Sequence, residues 1–170
     1  MANHPNFAAA NAKYVESFGD KGSLPLPPGK KLTIVTCMDA RIDPAASLGI
    51  HEGDAHVIRN AGGSAKEALR SIIISQRLLG TREVAVFHHT GCGMLTFSTE
   101  QLKDIVKNDA PNDVVVASQV DKYDFLEFSD LEGSVKSDVQ FLKDSPLVLK
   151  ETDITGWTYD VESGKIKKIV

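Results

Sequence analysis

The chain carries two cysteines, Cys37 and Cys92, and each stands among other side chains that bind metals. The first opens "CMDAR", Cys37 to Arg41, and the second closes "HHTGC", His88 to Cys92. Zinc takes Cys, His and Asp, and catalytic zinc sites offer three protein ligands plus an open position. Cys37, His89 and Cys92 would supply those three, since the short His89-x-x-Cys92 step lets one tight turn aim both side chains at one ion. Successive side chains of a strand point to opposite faces, so only one of the two adjacent histidines should bind metal, leaving His88 a structural role. Asp39 lies two residues after Cys37 and points the same way if the strand geometry persists. It could ligate the metal or sit beside it. Arg41, two residues further on, can clamp that carboxylate and keep it ionised. Were Arg41 to let go, Asp39 could swing in as a fourth ligand.

Blander readings exist for each part. A free Cys at a strand end is often a small buried hydrophobe, and Asp39 with Arg41 could be an ordinary ion pair. The combination favours metal, because both cysteines of the chain fall at strand ends beside ligand types. A thiolate nucleophile at Cys37 working with Arg41 on phosphate or sulfane sulfur is disfavoured, since the loop is too short to cradle an anion and holds Asp39.

The elements that must position these residues are legible as patterns. "LTIVTC", "AHVIRN" and "EVAVFHH" are continuous apolar runs, the signature of parallel strands covered on both faces. Between the last two, "SAKEALRSIIISQRLLG" opens with a Ser64/Glu67 capping box and closes on Gly80, which predicts a helix and a β-α-β unit. Its apolar stripe, with Ile74 and Leu78, is wider than one sheet face covers and suits a subunit interface. "STEQLKDIVKN" predicts a helix capped by Ser98 and Gln101 that buries Leu102, Ile105 and Val106. "DVVVASQ" reads as a fourth strand, "LEGSVKSDVQFLKD" as a helix, and the tail turns at "ESGK" as a hairpin or edge strand. "RNAGGSAKE" places Asn60 and Gly62-Gly63 at a strand-to-helix turn near the same edge; it lacks the dinucleotide spacing, and no phosphate loop occurs. Ligands of open α/β sheets collect outside the carboxyl ends of the strands, where Cys37 and Cys92 both fall.

An amphipathic helix from Phe7 to Phe18 precedes the proline-rich "GSLPLPPGKK", which cannot continue a helix. That arrangement suits arm exchange in a dimer. The fold class is α/β: a single-domain open, mostly parallel sheet flanked by helices, with residues 1–30 as an N-terminal helical arm and 31–170 as the zinc domain. At 170 residues, 42% hydrophobic and 25% charged, with a net charge of -4, the chain can bury a core without disulfide staples and shows no footprint for nucleic acid. No stretch suits a membrane span or a secretory signal. A cytoplasmic protein with reduced, metal-binding cysteines is the expectation.

"CMDARID", "GDAHVIRNAGG" and "HHTGCGM", followed by "ITGWTYDVESGKI", resemble the β-class carbonic anhydrase family, in particular its small members. The resemblance covers most of the chain from about Lys31. It implies a zinc enzyme that hydrates carbon dioxide reversibly to bicarbonate through zinc-bound hydroxide. Cys37, His89 and Cys92 match the zinc ligands, and Asp39 and Arg41 match the family's catalytic aspartate-arginine dyad. It also implies a homodimer or tetramer of dimers, with the N-terminal helix on the partner subunit. Ala61, Gly62, Leu95 and Phe97 are candidates for the wall of the substrate pocket. Similar small members often carry aspartate where this chain has Gly91. Close relatives hydrolyse carbonyl sulfide or carbon disulfide with the same ligands, so those substrates stay open. A non-catalytic zinc site closed by Asp39 is the alternative from another class.

Overall fold

The computed structural model describes residues 2–170. Five strands form one sheet in the order β2-β1-β3-β4-β5. β1 (Leu32–Cys37), β2 (Ala55–Asn60), β3 (Glu83–His89) and β4 (Asp153–Tyr159) run parallel, and β5 (Ile166–Lys168) turns back antiparallel on β4. Central β1 and β3 are buried along nearly their whole length, as their continuous apolar runs require. The mostly parallel α/β class expected from the pattern is the one observed, and the "ESGK" hairpin forms. β5 and β2 are the two edges, and β2, expected to be covered on both faces, buries none of its residues.

Alternation along β3 sorts the core into two layers. Val84 and Val86 join Val35, Ile72, Val139, Leu142 and Ile154 in one cluster, beneath α3 (Ala65–Leu79) and α6 (Leu131–Asp144). Ala85 and Phe87 join Ile34, Ile50 and Trp157 on the other face, where Phe87 stacks on Trp157 at 5.9 Å between ring centroids. α3 starts at Ser64, whose hydroxyl accepts the Glu67 N-H, and stops at Gly80 in the left-handed region. Only this forward half of the expected capping box is made. Before α4 (Thr99–Asp109), Ser98 and Gln101 make both halves.

Two further expectations are corrected. Residues 114–120 form helix α5 (Val114–Val120), not a fourth strand. The Asp113 carboxylate accepts the N-H groups of Val115 and Val116 at 2.9 and 3.1 Å, which closes a helix start, and the sheet position beside β3 belongs to β4. β-branched residues lower helix propensity by only about a few tenths of a kcal/mol each, so the cap and packing against α4 prevail. Ile105, expected in the core, is 55% exposed.

At the N-terminus, α1 (Phe7–Glu16) buries none of its residues. Phe7 and Val15 stay exposed, as does Leu78 on α3. The connector follows as a short 3-10 turn and then irregular chain that docks through Gly29 and Lys30 N-H groups onto the Gly53 and Asp54 carbonyls. A short helix α2 (Pro44–Leu48), capped by Asp43, links β1 toward β2.

Candidate metal centre

Cys37 is the last residue of β1 and His89 the last of β3, so two neighbouring parallel strands deliver both to one edge. Cys92 follows through a tight turn in which Gly91 takes a φ of 61°. That turn is tied to the end of β4: the Thr90 N-H donates to the Tyr159 carbonyl at 3.0 Å, and the Val161 N-H to Thr90 Oγ1 at 3.0 Å. The ligand atoms of Cys37, His89 and Cys92 all lie within 4.8 Å of one another, and all three residues are buried.

The chemistry of this donor set fits a metal ion. His89 Nδ1 lies 2.9 Å from the Thr90 carbonyl, which can only accept, so Nδ1 carries the proton and Nε2 the lone pair. Nε2 is buried with no hydrogen-bond partner. Buried polar atoms are nearly always paired, and a lone pair aimed at two sulfurs is what a cation would satisfy. The sulfurs themselves are 4.0 Å apart. Their shared hydrogen bond, aided by His89 and the backbone N-H groups of Asp39 and Gly62, pulls the Cys37 thiol well below its usual range against the effect of burial. The same bond, together with burial, pushes Cys92 up. Two thiolates at this spacing repel each other, a conflict that a divalent cation removes. For His89, burial disfavours the charged ring, yet Cys37, the Thr90 carbonyl and Asp39 together raise its pKa.

Asp39 and Arg41 form a two-pronged pair. Arg41 Nε donates to Asp39 Oδ1 at 2.9 Å and Nη2 to Oδ2 at 2.6 Å, while the Arg41 backbone N-H adds a third bond to Oδ1. Arg41 thereby holds the Asp39 carboxyl well below the usual carboxylate range. Oδ2 is also 3.8 Å from His89 Nε2, so the carboxylate stands beside the ligand cluster. Arg41 Nη2 further donates to the Gly91 carbonyl at 3.0 Å, which links the two loops that carry the cysteines.

His88 and His89 part as the strand period demands. His88 Nδ1 pairs with Ser134 Oγ at 2.7 Å and Nε2 with Asp138 Oδ2 at 3.2 Å, and its ring stacks on Phe128. Ala61, Leu95 and Phe97 pack against the cluster of Cys37, Ile42, Cys92 and Met94. Together with Gly62 they line a cavity of about 740 Å³, whose polar wall includes His88, Ser134 and Asp138. Cys37, His89 and Cys92 do not line it.

Phe128 and Arg59 escape sequence reading, and for Gly63 the sequence shows the turn but not its constraint. Phe128 comes from a loop without pattern. Gly63, at a φ of 75°, sits where a Cβ would fall 2.8 Å from the Phe87 carbonyl oxygen and 3.1 Å from the Cys37 nitrogen. Arg59 on β2 donates to the backbone carbonyls of Cys37 and Asp39; its one sequence signal is a charge inside a strand.

Comparison with known proteins agrees with this geometry. A family model described as carbonic anhydrase matches residues 32–166. Beta-carbonic anhydrase 1 of Mycobacterium tuberculosis is 39% identical over 165 residues, covering 96% of each chain. A carbon disulfide hydrolase of Acidianus sp. is 33% identical over 92% of this chain and 85% of its own. Among solved structures, a carbonic anhydrase from Glaciozyma antarctica superposes with a TM-score of 0.96 at 56% identity, covering 100% of both chains.

Proposed function

The chain belongs to the β-class carbonic anhydrase family, and we propose that it hydrates carbon dioxide reversibly to bicarbonate with one zinc ion per subunit. The observation that carries this reading is the buried, unpartnered lone pair of His89 Nε2 grouped with the two cysteine sulfurs. Cys37, His89 and Cys92 would hold the ion, which when bound brings the pKa of a coordinated water down to about 7.

The remaining work falls to the chain. Thr90 fixes the His89 tautomer through Nδ1-H, keeping Nε2 available for coordination. Asp39 is charged, held by Arg41, and next to the cluster. Its Oδ2 can accept a hydrogen bond from an attacking O-H beside the cluster and so turn that oxygen's lone pair toward substrate. Ala61, Leu95 and Phe97 supply apolar surface around this edge, suited to a small nonpolar substrate without hydrogen-bond donors. Both ring nitrogens of His88 are engaged, which leaves it a structural anchor.

A second reading, hydrolysis of carbonyl sulfide or carbon disulfide at the same centre, is supported by the hydrolase relative at 33% identity. The non-catalytic alternative needs Asp39 on the metal, and Arg41 engages both Asp39 oxygens, which favours the open centre. Residues 1–30 act as an arm onto a partner subunit in a homodimer or tetramer of dimers; the exposure of Phe7 and Val15 on α1 supports this. No helix among the described residues is long and apolar enough to cross a membrane. The free cysteines, unpaired with each other, support a reducing, cytoplasmic location.

Stopped-flow carbon dioxide hydration on zinc-quantified protein, with a sulfide-release assay beside it, tests the assignment. Hydration that rises with pH supports the anhydrase. Sulfide release without hydration selects the second reading, and zinc-replete protein inert in both assays selects the closed site.

A further inference from the structure

We propose that Arg59 is a positioning residue for this centre, clamping the backbone that presents both the Cys37 sulfur and the Asp39 carboxylate. The inference rests on the reading of Cys37, His89 and Cys92 as metal ligands and extends it to a residue that touches none of their ligand atoms. Arg59 lies on β2 opposite Thr36 in the parallel register, one residue short of the strand end. Its Nε donates to the Cys37 carbonyl at 3.1 Å and its Nη2 to the Asp39 carbonyl at 2.7 Å. Among the described residues, no carboxylate forms an ion pair with it. The guanidinium is therefore committed to two backbone oxygens on either side of Met38.

Those two oxygens bracket the arc that matters. β1 stops pairing with β3 at Thr36, and beyond Cys37 the chain leaves the sheet, held to β2 by the Met38 N-H on the Asn60 carbonyl at 2.8 Å. The same arc supplies the Cys37 sulfur, the Asp39 N-H directed at that sulfur, and the Asp39 carboxylate. A planar fork with fixed donor spacing can hold both carbonyls at once, whereas a lysine ammonium acts as a point donor on a flexible stem. Losing the fork frees the dihedrals across Met38 and Asp39, so the sulfur and the carboxylate lose their fixed relation to His89. Outer residues that orient ligands in this way typically change metal affinity by about 10–100-fold when removed.

The test uses the full-length zinc protein, with Arg59→Gln and Arg59→Lys compared to wild type by zinc release to a chromophoric chelator and by the visible spectrum of the cobalt(II)-substituted forms. Ile72→Val, which thins the core away from the centre, controls for general loosening. Arg59→Gln should release zinc at least about tenfold faster than wild type and than Ile72→Val, with altered cobalt bands. Arg59→Lys should recover only part of the retention. Should Arg59→Gln fail to fold, faster release from Arg59→Lys alone supports the proposal. Wild-type release and unchanged cobalt bands in whichever variants fold would overturn it. A wild-type protein that binds neither metal would instead defeat the underlying reading of the ligands.

Discussion

The sulfurs of Cys37 and Cys92, 55 residues apart in sequence, lie 4.0 Å from each other, well beyond the roughly 2.05 Å of a disulfide bond. With His89 Nε2 unpartnered beside them, the two sulfurs belong to a donor set rather than to apolar filling. Cys92→Ser should therefore lose most of its zinc, read by metal analysis after gel filtration. Because ligand binding is coupled to folding, its Tm should fall by at least about 5 °C, on a scale where 1 kcal/mol moves a domain of this size by about 2–4 °C. A zinc-replete, fully active Cys92→Ser protein would remove this cysteine from the ligand set.

His88 makes the complementary case. Its ring bridges β3 to α6 through Ser134 and Asp138, and removing it takes one hydrogen bond from each, leaving Ser134 on the Leu131 carbonyl and Asp138 on the Ala65 N-H. His88→Ala should destabilise the fold by about 1–3 kcal/mol, measured by urea unfolding, while keeping zinc at the wild-type stoichiometry. Loss of zinc with little loss of stability would exchange the roles of the two histidines.

Asp39 is held by three donors from Arg41, so Asp39→Asn keeps the shape while exchanging one acceptor oxygen for a donor amide. Zinc should stay bound, and kcat for hydration should drop by about two orders of magnitude or more, the range for a positioned acid-base group. Near-normal turnover in this variant would exclude the aspartate from the reaction.

Two glycines at positive φ offer a contrast in size. A Cβ on Gly91 would meet only the Arg41 guanidinium and Val161 at 3.9 to 4.0 Å, whereas one on Gly63 would strike backbone atoms of Phe87, Thr36 and Cys37 at 2.8 to 3.1 Å. Backbone of two adjacent strands cannot yield as a side chain can. Gly91→Ala should lose about 1 kcal/mol from its left-handed dihedral, and Gly63→Ala clearly more, with weakened zinc retention because Cys37 is displaced. Equal losses in thermal melts would show that the strand ends yield.

How much of this was legible follows from where the information lies. Strands β1 and β3 are written in side chains, as apolar runs that end in Cys37 and His89, and the period of two separates His88 from His89. The same rule misleads at Val114 to Val116, because a triple-valine run looks alike in a buried strand and a capped helix. The Asp113 cap and the packing of α5 on α4 decide it. Arg59 was hidden for a different reason: its partners are the carbonyls of Cys37 and Asp39, and carbonyls leave no mark in a sequence. Gly63 reads as a turn residue, while its real constraint is the gap between two strand ends.

Acid should weaken the tie that Glu127 makes at the cavity rim. Glu127 joins the loop before α6 to the start of α4: Oε1 accepts the Thr99 N-H at 2.7 Å and Oε2 the Thr99 hydroxyl at 2.6 Å. The Thr99 hydroxyl, then its N-H, lower the Glu127 pKa below that of an ordinary glutamate, which is about 4.3. A carboxyl depressed in the folded state binds fewer protons there than when unfolded, so its stabilisation is complete above about 4.3 and fades as pH falls through the folded value. Glu127→Gln removes that titration. Urea unfolding of both proteins between about pH 3 and 7 should show wild type more stable near neutrality, with the difference shrinking on the acid side. Zinc loss in acid affects both proteins alike, so the difference isolates Glu127. A gap that stays constant across the range would mean that Thr99 holds the protonated carboxyl equally well.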